Sequence, residues 1–213
     1  MFDFHCHSVF SDGELIPAEI WRRVKVLGYS GIAITDHGDS SNLEFILGNL
    51  LKIRDAFKGL SPRLIAGIEL THVPPELIPE LIQKARTLGA EIVVVHGETI
   101  VEPVAEGTNR AAILGGADIL AHPGLISEEE VKLAAEKGIF LEISGRKGHS
   151  FTNGHVVNLA RKYQAPLIIN SDAHSPSDLL SQDLATKIAL GAGLTQGEVK
   201  NLWNMVERRF LKS

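Results

Sequence analysis

The chain opens Met1-Phe-Asp-Phe-His5-Cys-His7-Ser-Val-Phe-Ser-Asp12-Gly13. Phe2, Phe4 and Cys6 alternate with Asp3, His5 and His7, which is the two-residue period of a β-strand. Residues two apart on a strand share a face, so His5 and His7 stand side by side at its C-terminal end. Ser11-Asp12-Gly13 then turns the chain. Two adjacent imidazoles backed by a carboxylate read either as ordinary strand-end polarity or as a pair of metal ligands. The remainder of the chain decides between them.

The same arrangement recurs six times. Residues 31–35 form a short apolar run that delivers Asp36-His37-Gly38, and 63–68 runs straight into Glu69. Residues 91–95 end in His96-Gly97-Glu98, and 118–121 end in His122-Pro123. Residues 139–143 lead to Ser144-Gly145-Arg146-Lys147-Gly148-His149, and 166–170 to Ser171-Asp172-Ala173-His174. Helical patterns separate these runs. The first opens at Pro17 and stops at Gly28, another starts at the capping box Ser127-Glu-Glu-Glu130, and a third is expected to be capped by Asn153. Two more, near 181–190 and 195–210, close the chain.

Seven strands each followed by a helix predict βαβ units, and strands this short and apolar read as parallel and covered on both faces. Polar groups able to bind metal stand at the ends of every strand except the sixth. An open sheet would spread them by about 4.8 Å per strand, whereas a closed ring gathers them at one mouth. The expected architecture is therefore an α/β (β/α)7 barrel, one domain over residues 1–213, with its site at the C-terminal ends of the strands.

Composition narrows the function classes. The chain has 213 residues, 44% of them hydrophobic, enough for a substantial core. A net charge of -5 and the absence of a basic run argue against a dedicated nucleic-acid grip, although a nuclease that holds its substrate through metals stays open. Cys6 is the sole cysteine, so no disulfide framework or thiolate zinc site is available, and a reducing cytoplasm is expected. No apolar run reaches a membrane span, and the start of the chain reads as a strand.

Collected in order, the strand-end groups are His5, His7, Asp12, His37, Glu69, His96, His122, Asp172 and His174. They include six of the nine histidines in the chain. Imidazole and carboxylate donors without thiolate suit Zn, Mn or Fe, and nine ligands suit two or three divalent ions sharing a bridging carboxylate. Packed together without cations, these groups would carry a heavy desolvation penalty.

His5-x-His7 with Ser11-Asp12-Gly13, Thr35-Asp36-His37, Gly67-Ile68-Glu69, His96-Gly97, Ala121-His122-Pro123 and Ser171-Asp172-Ala173-His174 together resemble the motif series of the PHP (polymerase and histidinol phosphatase) family, over nearly the whole chain. The resemblance implies a distorted (β/α)7 barrel whose trinuclear metal site hydrolyses phosphoesters. By matching position it implies one ion on His5, His7, Glu69 and Asp172, and a second on Glu69, His96 and His122 with Glu69 bridging. The third would lie on Asp12, His37 and His174; some relatives carry His where this chain has Asp12. Glu69, Asp172 and His174 are expected to carry catalysis, in which a metal-bound hydroxide attacks phosphorus in line.

Arg146 and Lys147, after the strand that offers no ligand, are expected to contact a substrate phosphate. His149 reads as an ordinary loop histidine and His155 as structural, while His72 is weighed as an entrance residue. Asp3 and Asn170 share strand parity with ligands and are expected to orient imidazoles; Asp36 and Glu98 are expected in local loop hydrogen bonds. The expected function is hydrolysis of a small phosphomonoester, histidinol phosphate or a nucleotide-like phosphate. The rivals are an exonuclease or phosphodiesterase on nucleic acid, a metal amidohydrolase on a related barrel, and a non-catalytic metal-stabilised module binding a partner.

Overall fold

A computed structural model describes residues 1–210; residues 211–213, included in the single-domain expectation, lie outside the described residues. The first half of the chain forms β1 (Phe2–Asp3), α1 (Pro17–Val26), β2 (Gly31–Ile34), a two-residue β3 (His37–Gly38), α2 (Leu43–Ala56), β4 (Arg63–Leu70) and α3 (Ile78–Thr87). It continues with β5 (Ile92–His96), α4 (Thr108–Gly115), β6 (Ile119–Ala121), α5 (Glu128–Lys137), β7 (Phe140–Ser144) and α6 (Asn153–Tyr163). β8 (Leu167–Asn170), α7 (Gln182–Gly191) and α8 (Gln196–Phe210) complete it.

The seven strands β1, β2, β4, β5, β6, β7 and β8 pair in that order, all in parallel, and β3 lies beside the far end of β4. The expected distorted (β/α)7 barrel is thus what the chain forms. Alternation along each strand sorts its residues into two layers. Leu64, Ala66, Ile68, Val93, Val95 and Leu141 point outward against the helices, together with Cys6, while Ala33, Ile65, Val94, Ile119 and Phe140 fill the interior. Each set is buried, as near-continuous apolar strands require.

The ring is completed where β1 meets β8, and there side chains take over from the ladder. The Phe4 amide donates to Asn170 Oδ1 (2.9 Å), and the Ser171 amide to both Asp3 carboxylate oxygens (3.2 Å each). Higher up, ordinary backbone bonds resume, Asp172 N to His5 O (3.0 Å) and His7 N to Ala173 O (2.8 Å). Asp3 and Asn170 therefore act first as acceptors that seal the wall. Asp3 reaches the backbone of His5 and not its ring, through the His5 amide (3.2 Å).

The expected helix starts hold with one correction. Ser127 and Glu130 form the capping box, and Thr195 with Glu198 makes the same reciprocal bonds before α8. Asn153, expected as a cap, sits inside α6, and its amide instead clamps both the N–H and C=O of Ser144 (3.1 and 2.9 Å). Among the described residues no helix is long and apolar enough to cross a membrane.

At the end of the barrel away from the histidines, Phe4, Phe140 and Phe210 form a floor, with centroids 4.9 Å apart for Phe4–Phe210 and 5.1 Å for Phe140–Phe210. Phe4 is fully buried. Phe4→Ala should lower stability by about 3–5 kcal/mol, measured by urea denaturation; a loss below about 1 kcal/mol would show that the floor contributes little.

Candidate metal centre

The strand ends converge because the chain is constrained immediately after each of them. Following β1, the segment 8–13 doubles back, and a side chain at Gly13 would place its Cβ only 2.3 Å from His7 O. Asp36 pins the same turn, accepting bonds from Ser8 N and Oγ (2.7 Å each) and from Ser11 N (3.1 Å) and Oγ (2.7 Å). This is the local role expected of Asp36, and its result is to hold Asp12 at the rim. Glu98 behaves likewise, accepting from the amides of Gly107 and Asn109 before α4 (3.0 and 2.9 Å).

Glu69 is fully buried at the centre. Its Oε1 lies 3.1 Å from His5 Nε2 and 3.8 Å from His122 Nε2, and its Oε2 lies 2.6 Å from His37 Nδ1 and 3.8 Å from His7 Nε2. The β3–β4 register, which sets His37 opposite Glu69, produces the closest of these. Asp172 faces the same space from β8, with Oδ1 3.3 Å from His7 Nε2 and Oδ2 3.7 Å from His122 Nε2. On the outer side, Asp12 Oδ1 is 3.4 Å from His37 Nε2 and 3.3 Å from His174 Nε2. Eight of the nine expected residues thus face one region, and His96 packs beside it against His122, their ring centroids 4.4 Å apart.

Electrostatics within the cluster is unequal. Burial opposes the charge on Glu69, but the surrounding His5 and His37 outweigh it and hold its pKa well below the usual range. Burial pushes Asp172 up to about 7, with His5 opposing and Glu69 reinforcing the rise. Burial also lowers His7 and His122. Backbone strain collects at the same place: His72, His122 and Asp172 take positive φ (52°, 24° and 54°), each at a cost of order 1–3 kcal/mol.

The residues fit divalent metal. His5 Nε2, His7 Nε2 and Glu69 Oε1, which face one another across the cluster, are buried without a hydrogen-bond partner. Each such group costs about 1–3 kcal/mol, and lone pairs converging from several sides are what a cation relieves. Among the described residues five sets of donors fall within 4.8 Å of one another: His5, His7 and Asp172; His5, Glu69 and His122; His7, Asp12, His37 and His174; His96, His122 and His149; and His72, His96 and Glu102.

The geometry departs from the sequence reading at four positions. The sixth barrel strand, expected to offer nothing, brings in Glu142, whose Oε2 accepts from Asn170 Nδ2 (2.9 Å) and lies 2.8 Å from His5 Nδ1. A lone acid between Leu141 and Ile143 was the available signal. His149 is buried and stacks on His122, not an ordinary loop residue. Glu102 reaches over from the loop after β5 to His96, Oε2 to Nε2 being 3.0 Å. Lys147 is exposed and lies apart from the cavity, because Gly148 and the turn beginning at His149 carry it outward.

Arg146, by contrast, lines a cavity of about 390 Å³ above the cluster, with its Nη1 donating to Asp172 O (3.2 Å) and its guanidinium against His174. His72 lines the same cavity, and His155 is held to Ile126 O (2.8 Å) away from it.

A parallel barrel with imidazoles and carboxylates gathered at its C-terminal mouth defines a metal-binding α/β barrel. More narrowly, the chain belongs to the PHP domain family, whose model matches residues 3–202. It is 50% identical over 214 residues to an uncharacterized protein of Methanocaldococcus jannaschii, covering 99% of this chain and 98% of that one. It is 30% identical over 227 residues to ribonuclease P protein component 3 of Methanosarcina mazei, covering 99% and 88%. Its fold matches that of histidinol phosphate phosphatase from Lactococcus lactis, a structure complexed with zinc, L-histidinol and phosphate. The TM-score is 0.62 at 19% identity, covering 91% of this chain and 94% of that one.

Glu142→Ala would free the His5 ring and the Asn170 amide together. Divalent-metal affinity should fall about 10–100-fold, measured by competition with a chromophoric chelator, while circular dichroism stays native; unchanged affinity would show that His5 needs no such support.

Proposed function

We propose that this chain hydrolyses a small phosphomonoester using two or three divalent ions, Zn, Mn or Fe, held by the nine strand-end residues. The observation that carries the reading is the set of partnerless buried nitrogens and oxygens around Glu69, beneath a cavity with one basic residue. The chain is a metal-dependent phosphoesterase by family and by donor chemistry. His5, His7, Glu69 and Asp172 would hold one ion, Glu69, His96 and His122 a second, and Asp12, His37 and His174 the third. When bound, such ions supply Lewis acidity toward phosphoryl oxygens and lower the pKa of a coordinated water.

The chain's own residues do the rest. Glu69, ionised and central, balances the charge of two neighbouring positions at once. Asp172 and His174 bracket Arg146, whose guanidinium Nη1 lies on the Asp172 carbonyl and so is turned toward the cavity. A planar cation there suits two oxygens of a terminal phosphate. Among the described residues it is the one Lys or Arg lining the cavity, while Asp12, Asp39 and Glu102 line the same space. That balance suits a single phosphate on a small leaving group such as histidinol phosphate or a nucleotide-like phosphate. It disfavours a run of phosphodiesters, which would need several cations along the groove. Cys6, a lone buried thiol, accords with a reducing cytoplasm.

The likeness to ribonuclease P protein component 3 favours a second reading, in which the chain acts on or binds RNA. A phosphate-release screen over phosphomonoesters, set beside degradation and binding of single-stranded oligoribonucleotides, separates the two. Monoester turnover without oligonucleotide turnover or binding supports the first reading; the converse supports the second.

Removing metal with a chelator should abolish hydrolysis, and adding back Zn, Mn or Fe should restore it. Glu69→Ala should reduce activity at least about 1,000-fold and lower the bound metal; a fully loaded, active Glu69→Ala protein would overturn the assignment. Arg146→Ala should raise KM roughly 10-fold or more with metal content unchanged, measured by steady-state kinetics beside elemental analysis.

A further inference from the structure

Two loops meet over one side of the cluster. Thr99 lies on the loop that leaves β5, and His149 begins the 3-10 turn His149–Thr152 beyond β7. The Thr99 hydroxyl and His149 Nδ1 are 2.8 Å apart, and both residues are buried. This contact, with stacking on His122 (centroids 4.0 Å, planes 16° apart), fixes the direction of the His149 ring. Its Nε2 lies 3.4 Å from Glu102 Oε1 and 3.8 Å from Asp172 Oδ2. Glu102, on the same loop as Thr99, bridges to His96 with its other oxygen at 3.0 Å and meets the more exposed His72 at 3.4 Å. His96, His122 and His149 are all buried and offer ring nitrogens within 4.8 Å of one another.

We propose that His149 and Glu102 are ligands of the second metal ion, joining His96 and His122 in a set that extends beyond the nine strand-end residues. The inference rests on the metal-dependent reading above. Donors bound about 2.1 Å from one ion stand roughly 3.4 Å apart in a tetrahedron. The His149–Glu102 and His96–Glu102 separations fall in that range. With Nδ1–H donated to the Thr99 hydroxyl, His149 Nε2 carries the lone pair, which is how ligating imidazoles are usually oriented. That lone pair then faces a carboxylate oxygen, an acceptor opposite an acceptor, an arrangement that a cation between them converts from repulsion to attraction. The competing account is a hydrogen-bonded latch between two loops, with no effect on metal.

The two accounts separate in the whole protein. Wild type, His149→Ala, Glu102→Gln and the remote control His155→Ala are compared by bound metal per chain from elemental mass spectrometry. Zinc affinity is measured by competition with a chromophoric chelator, and the visible spectrum is recorded after cobalt substitution. The expected result is that His149→Ala and Glu102→Gln each weaken one equivalent at least 10-fold and alter the cobalt bands, with the remaining ions retained and the control unchanged. If both variants keep wild-type stoichiometry, affinity and cobalt spectrum, the inference is overturned while the metal-dependent reading stands. If the wild type binds no divalent ion, both fall together. Should His149→Ala fail to fold, Glu102→Gln, with its partly exposed side chain, decides the matter by the same measurements.

Discussion

The structure depends on a buried carboxylate that has more imidazole neighbours than it can satisfy. Glu69 is shielded from water and lies within 3.8 Å of a ring nitrogen from each of His5, His7, His37 and His122. Those rings come from three separate segments of the chain, His5 and His7 sharing one. A carboxylate so placed keeps its charge only because the groups around it are cationic or hold cations, and its depressed pKa expresses that dependence. Nothing apolar could take its place without leaving several imidazoles stranded. The barrel brings six strand ends to within reach of one another, and Glu69 is where they meet.

Supporting groups form a second layer that is tied to the wall itself. Asn170 uses one end of its amide to accept from Phe4 N and the other to donate to Glu142, which in turn lies against His5. Asp36 sets the turn that carries Asp12, and the Asn153 amide fixes the last residue of β7. Wall and site therefore share residues, and damage to one is transmitted to the other through hydrogen bonds a single side chain long. The positive φ angles at His122 and Asp172 belong to the same economy, since the surrounding bonds hold backbone that would otherwise relax.

Most of the architecture was legible in the sequence because parallel strands covered on both faces leave a plain signature of short apolar runs ended by a polar group. His96 after Ile92–Val95 and His122 after Ile119–Ala121 could be placed from that pattern alone. What escaped was whatever reaches the site from elsewhere. Glu142 sits within a strand and not at its end, turned inward by the same alternation that turns Phe140 in and Leu141 out. His149 and Glu102 arrive on loops whose course is set by Thr99 and by the stacking on His122. Lys147 shows the opposite failure: beside Arg146 in the sequence, it is turned away by the backbone between them. Asn153 had the residue type of a helix cap, but a strand end offered it two hydrogen bonds instead of one.

The seam between the first and last strands has a consequence for how the protein comes into being. Its bonds join residues more than 160 positions apart, such as Phe4 to Asn170 and Ser171 to Asp3. His5 and His7 stand on one bank and Asp172 on the other. During synthesis, six strands can assemble as an open ribbon on the emerging chain, but the amino-terminal segment has no far bank to dock on until β8 has left the ribosome. On the proposed assignment, the donor trio that spans the seam is assembled only once the last strand of the ring has docked, so any ion it holds would arrive after the wall is closed.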